Sequence, residues 1–109
     1  FNSKNNYQIY GTTINYLIKN NILPMPNYIK IDVDGIEHLI LEGGNEHLNN
    51  NELRSISIEL NEKFFKQYNA VLKIMKDSNF ILKHKKHAPS FYKSGKSDKI
   101  YNFVFKRKL

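Results

Sequence analysis

Four carboxylates in this sequence stand where chain geometry can gather them: Asp32, Asp34, Glu37 and Glu59. Carboxylates brought together can take a proton from a hydroxyl as a general base, or hold a hard divalent cation through oxygen. Acids on a sheet edge often hold no cation, and no metal is assigned here. Asp34 also has a structural reading, because its side chain can cap the helix that follows, with Glu37 in the positively biased first turn. Asp32 is harder to explain that way: it falls inside a strand pattern, where an acid is disfavoured without a partner. The other chemistry-bearing residues offer less. His38 and His47 read as partly exposed helix residues, and His84 and His87 flank Lys85 and Lys86, whose charge repels a cation. The sequence has no cysteine, which excludes disulfides and thiolate metal sites. No Ser-His-Asp order, phosphate loop or zinc spacing can be assembled.

The elements that must position the acids follow from periodicity. Residues 28–33 carry Ile29, Ile31 and Val33 at every second place, with Pro24 and Pro26 fixing an extended approach; this predicts a strand. After the turn pair Asp34-Gly35 the period changes to 3.6, placing Ile36, Leu39, Ile40 and Gly43 on one helical face. In an open α/β sheet such a switch marks the carboxyl end of a strand, where ligands bind. Asp32 and Asp34 lie there. Residues 54–60 alternate, with Ile56, Ile58 and Leu60 against Ser55, Ser57 and Glu59, and predict a second strand. A helix-bearing crossover between two strands gives a right-handed, parallel βαβ unit, which brings Glu59 and Asn61 to the edge that holds Asp32. Upstream, Thr12 or Thr13 can cap a helix running to about Asn21, with Ile14, Leu17 and Ile18 as its buried stripe. Downstream, Phe64, Tyr68, Val71, Leu72 and Met75 space out the longest helix as a core stripe. Strands are predicted to begin at Phe80 and to span 100–105, with a basic hairpin loop over 83–99 between them.

The run Ile29-Lys30-Ile31-Asp32-Val33-Asp34-Gly35-Ile36-Glu37, followed by a short amphipathic helix ending at Gly43-Gly44, resembles the fourth-strand motif of the FkbM-type S-adenosylmethionine-dependent methyltransferases. The usual form there is Ile-Lys-Ile-Asp-Val-Glu-Gly-x-Glu. Residues 12–18 are similar to the Thr-Leu-Asp-Asp-Leu segment that precedes it, with Asn15 in place of the usual acid, and residues 55–60 resemble the fifth strand. The resemblance implies an α/β fold: a partial Rossmann-like class I methyltransferase sheet, with parallel βαβ units and a final antiparallel strand. It covers nearly all of the chain, but the chain covers only the family's second half. Residues 1–109 are then a partial domain without the N-terminal cofactor-binding half and its glycine-rich loop. The implied function is O-methylation of a sugar or other small hydroxylated metabolite with S-adenosyl-L-methionine as cofactor. On that reading Asp32, Asp34, Glu37 and Glu59 are the catalytic candidates, Asp32 and Gly35 border the cofactor, and the fragment alone is expected to be inactive.

A chain of 109 residues supports at most one domain and can bury roughly two-thirds of its unfolded surface. No apolar run reaches the roughly 20 residues that cross a bilayer, so no membrane span is expected. With no leader pattern and no cysteine, the expected location is cytoplasmic. The start at Phe1, followed by polar residues, reads as a point inside a longer protein. Charge is uneven: residues 1–62 carry four basic and eight acidic side chains, net −4, and residues 63–109 carry 13 and two, net +11. A lysine- and asparagine-rich composition explains this, but a competing reading is a basic module binding nucleic acid or another anion. Lysines 83–99 with Phe91, Tyr92 and Tyr101 would then hold phosphates and bases. The acidic strand edge repels a phosphate backbone, so no nucleic-acid partner is expected. A third reading is a non-catalytic remnant that keeps the sheet. In the resembled fold the strand over 29–33 is interior; left open, its edge is expected to make the isolated chain self-associate.

Overall fold

The computed structural model describes residues 6, 8–87 and 99–108. Ile56, Ile58 and Leu60 are buried along β2 (Ser55–Asn61), while Ser55, Ser57 and Glu59 between them are half-buried, the alternation the sequence predicts. This strand is the axis of the sheet. On one side it pairs in parallel with β1 (Tyr28–Ile31), Ile29 beside Ile56 and Ile31 beside Ile58. On the other it pairs antiparallel with β4 (Ile100–Arg107), Ile58 beside Phe103 and Ile56 beside Phe105. β3 (Phe80–Lys86) lies outside β4 and antiparallel to it, so the order is β1-β2-β4-β3. The fold is a mixed α/β sheet of four strands among the described residues. One βαβ unit closes as a parallel pair; β3 runs in the direction of β2 but is held apart from it by the inserted last strand.

The chain enters through α1 (Ile14–Lys19), crosses from β1 to β2 through α2 (Glu37–Glu42), and from β2 to β3 through α3 (Phe65–Asp77). One cluster unites the sheet residues Ile31, Ile56, Ile58, Leu60, Phe103 and Phe105 with Leu41, Leu48, Leu53, Val71 and Met75. Each such side chain contributes roughly 1.5–3 kcal/mol when taken out of water. Among the described residues no helix is long and apolar enough to cross a membrane.

The helices form where the sequence predicts them, but their faces differ. Thr13 caps α1, its Oγ1 accepting from Tyr16 N at 3.1 Å. The helix stops at Lys19, and Ile14, Leu17 and Ile18 are only half-buried, lining an open groove with Pro24, Pro26 and Ile29. α2 turns Glu37 and Leu41 inward rather than Ile36 and Leu39, because two neighbours share it. Its inner side meets α3, while Leu39, Ile40 and Gly43 face Thr13, Ile14 and Leu17 of the α1 segment. Gly43-Gly44 makes the α1 approach possible. Asn15 N donates to Gly43 O at 2.9 Å, and a Cβ on Gly44 would stand 3.1 Å from Ile14 Cδ1. Asn15 ties the two together further, its Oδ1 accepting from Glu46 N and lying 2.9 Å from His47 Nδ1.

Two other expectations need correcting. Phe64 precedes α3 and is exposed instead of joining the core stripe, which Val71 and Met75 carry with Tyr68 and Leu72 packed beside them. Residues 83–86 belong to β3 and not to a loop, since β4 offers them a ladder of partners, His84 beside Val104 and Lys86 beside Asn102. Residues 88–98 of the predicted basic loop, with Phe91 and Tyr92, lie outside the described residues. At the far end of the sheet Arg107 acts as a staple. Its guanidinium donates to the carbonyls of Leu48, Asn50, Leu53 and Ser78 at 2.6–3.0 Å and lies 4.1 Å from the Phe80 ring centroid.

Candidate active site

β1 ends at Ile31, so Asp32 is the first residue beyond the strand and not an acid within it; the ladder closes there and the carboxylate is exposed. Lys30 pairs with Ser57, and two residues further on Asp32 and Glu59 are neighbours, near enough for a protonated Glu59 to hydrogen-bond Asp32. The chain then bends. Gly35 N donates back to Val33 O at 3.1 Å, and Gly35 itself has φ +105°, a conformation that a side chain would strain. This bend overturns one expectation: Asp34 does not cap the following helix. α2 begins at Glu37, its N-cap is Ile36, and no side chain caps it, because Gly35 turns the backbone before the helix starts. Asp34 is left as an exposed carboxylate at the strand end.

Glu37 differs from the other three acids. Only 2% of it is exposed, and it is the one charged residue buried among the described residues. A buried carboxylate needs a donor, and Gln67 of α3 supplies one, Nε2 donating to Glu37 Oε1. The pair joins the first turn of α2 to α3.

These elements enclose an open cleft of about 340 Å³ at the carboxyl edge of β1 and β2. Asp34, Gly35 and Glu37 line it from the β1 side, Glu59 from β2, and Phe64 and Gln67 from the start of α3. Of the sequence-predicted site residues, four share this cleft; Asp32 does not line it but reaches it through Glu59. Burial raises the pKa of Glu59, and the negative charge of Asp32, the hydrogen bond with Asp32 and the charges of Asp34 and Glu37 push it further in the same direction. A carboxylate whose proton affinity is raised in this way is a better base for a hydroxyl than a free one. Among the described residues no three His, Asp or Glu side chains are placed to hold a metal ion.

Sequence patterns missed Phe64 and Gln67. The period that defines α3 also fits Phe64, which disguises it as core; Gln67 carries no signal beyond the need of a buried glutamate for a donor. The basic module loses some of its material as well. Lys85 pairs with Glu62 at 2.8 Å and lies 4.4 Å from the Tyr101 ring centroid, and the hydrogen bond to Glu62 raises its pKa.

Residues 4–82 match the family model of the methyltransferase FkbM domain, a stretch running from ahead of α1 into β3. No curated protein and no solved structure matches the chain. The family match spans well over half of the 109 residues and contains every acid of the cleft, and the chain therefore belongs to the FkbM methyltransferase family.

Proposed function

We propose that this chain is the acceptor-side, C-terminal half of a Rossmann-like methyltransferase domain that uses S-adenosyl-L-methionine to O-methylate a sugar or another small hydroxylated metabolite. The observation that carries the reading is the gathering of Asp32, Asp34, Glu37 and Glu59 at one strand edge beside an open cleft, within an FkbM domain. The residues present fit part of what the cofactor needs. Acidic groups beside Gly35 suit its positively charged sulfonium and amino groups, and Asp32 with Gly35 would hold that end. A cytoplasmic setting is part of this reading, and a cysteine-free chain is compatible with a reducing compartment.

When bound, the cofactor supplies an electrophilic methyl group on sulfur. The chain's own residues then have three tasks. Glu59 takes the proton of the acceptor hydroxyl, helped by its raised proton affinity. Asp32 stands beside Glu59 and its negative charge keeps the proton affinity of Glu59 high, and Asp34 lines the cleft as a further acceptor for hydroxyls. Glu37, locked by Gln67, sets the position of α2 against α3 and so the width of the cleft. Proximity of this kind is the main lever available for an in-line displacement.

The test is Asp32→Ala in the complete protein, followed by methyl release from S-adenosyl-L-methionine and by circular dichroism. Turnover is expected to be lost with the spectrum unchanged. Turnover near that of the parent protein would remove the site assignment.

A further inference from the structure

Phe64 stands at a position where local energetics favour almost any other choice. It is the N-cap of α3, where Ser, Thr, Asp or Asn would satisfy an orphan backbone N–H, yet its side chain makes no cap. Nor is it repaid by burial, because 58% of the residue remains exposed. Its neighbour Phe65 is also exposed but does not line the cleft. The backbone under Phe64 is nevertheless firmly held. Phe64 N donates to Asn61 O at 3.1 Å, Tyr68 N to Phe64 O at 2.9 Å, and the turn between is fixed by Lys63 N on Asn61 Oδ1 at 2.9 Å. A ring that is neither cap nor core, on a rigid turn, in the wall of a cleft with three carboxylates, breaks the local rules at one place.

We propose that Phe64 is a specificity-determining residue of the cleft: its ring is the platform on which the apolar C–H face of a cyclic polyol lies, while Asp34, Glu59 and Gln67 receive the hydroxyls at its rim. The proposal rests on the methyltransferase reading and narrows it. A pyranose or cyclitol has both an apolar face and a belt of hydroxyls, which is the combination that this wall of aromatic, carboxylate and amide groups can meet. An acyclic polyol offers the hydroxyls without the face.

These 109 residues contain no tryptophan, so in the complete protein the difference in emission between Phe64→Trp and the parent reports on the cleft wall. Titration with methyl α-D-glucopyranoside, methyl α-D-mannopyranoside, methyl β-D-galactopyranoside and myo-inositol is expected to change that difference for at least one of them, and titration with glycerol is not. Phe64→Ser should then weaken the responding ligand about tenfold, the loss of one ring contact, while the thermal midpoint stays or rises because serine caps α3. Silence toward every cyclic probe, or an unchanged affinity in Phe64→Ser, overturns the proposal. Calorimetry with S-adenosyl-L-methionine separates the two readings. A cyclic polyol that binds through Phe64 in a protein that does not bind the cofactor keeps the platform and removes methyl transfer.

Discussion

Glu59 concentrates the electrostatics of the cleft. Its folded-state pKa lies above the ordinary 4.5, with burial as the first cause and the charge of Asp32 as the second. An acid with a raised folded pKa contributes stability that is complete below its unfolded pKa and is lost as pH rises through the folded one. At neutral pH the ionised side chain is therefore a net cost. Glu59→Gln removes that cost: its thermal midpoint should exceed the parent's at pH 7, by less than about 1 kcal/mol in stability, and the gain should vanish as pH falls to about 4.5. A midpoint lowered at pH 7 would contradict this account of the site. The same substitution should abolish methyl transfer, the usual exchange of activity for stability at a strained site. Asp32, Asp34 and Glu37 were legible in the sequence because a strand, a turn and a helix start in nine residues leave few other places for them, and Glu59 because a parallel β2 ends at the same edge. The state of Glu37 was not, since burial depends on where α3 lies and no local pattern encodes that.

At the scale of elements, existence was legible and orientation was not. Alternation in β2 predicts its two faces correctly because one sheet surface decides them both. The face of α2 was misjudged because α1 and α3 compete for it, and the periodicity of a short helix allows either side inward. Arg107 shows the limit most clearly, for its partners are carbonyls up to 59 positions away in sequence, which carry no residue signature. It joins the end of β4 to the loop before β2 and to the C-terminus of α3. Arg107→Leu strands several part-buried carbonyls at once, and should cost about 2–4 kcal/mol in urea unfolding. A loss within the error of the measurement would show that water replaces the guanidinium.

At the scale of the molecule, the sheet is finished at one side and open at the other. β3 protects its outer edge with Lys83, Lys85 and Lys86, and a bulge between Leu82 and His84. β1 carries Tyr28, 70% exposed, beside an apolar groove lined by Ile14, Leu17 and Ile29. The 109-residue chain alone is expected to self-associate there, with sedimentation equilibrium showing a mass that rises with concentration and Tyr28→Lys reducing it. A monomer throughout the micromolar range would mean that the β1 edge is adequately protected.

The place of β4 between β2 and β3 also dictates an order of events. During synthesis β1, α2 and β2 can close their parallel pair early, but β3 emerges with no strand to receive it. It stays without a partner until β4 has been made and inserts between β2 and β3, a long-range step that slows closure of the sheet. A chain that stops before Ile100 therefore leaves β3 unpaired and one edge of β2 open, and lacks Phe103 and Phe105 of the core. Such a product exposes strand edges and apolar surface to chaperones and proteases, so β4 decides whether the rest of the sheet survives.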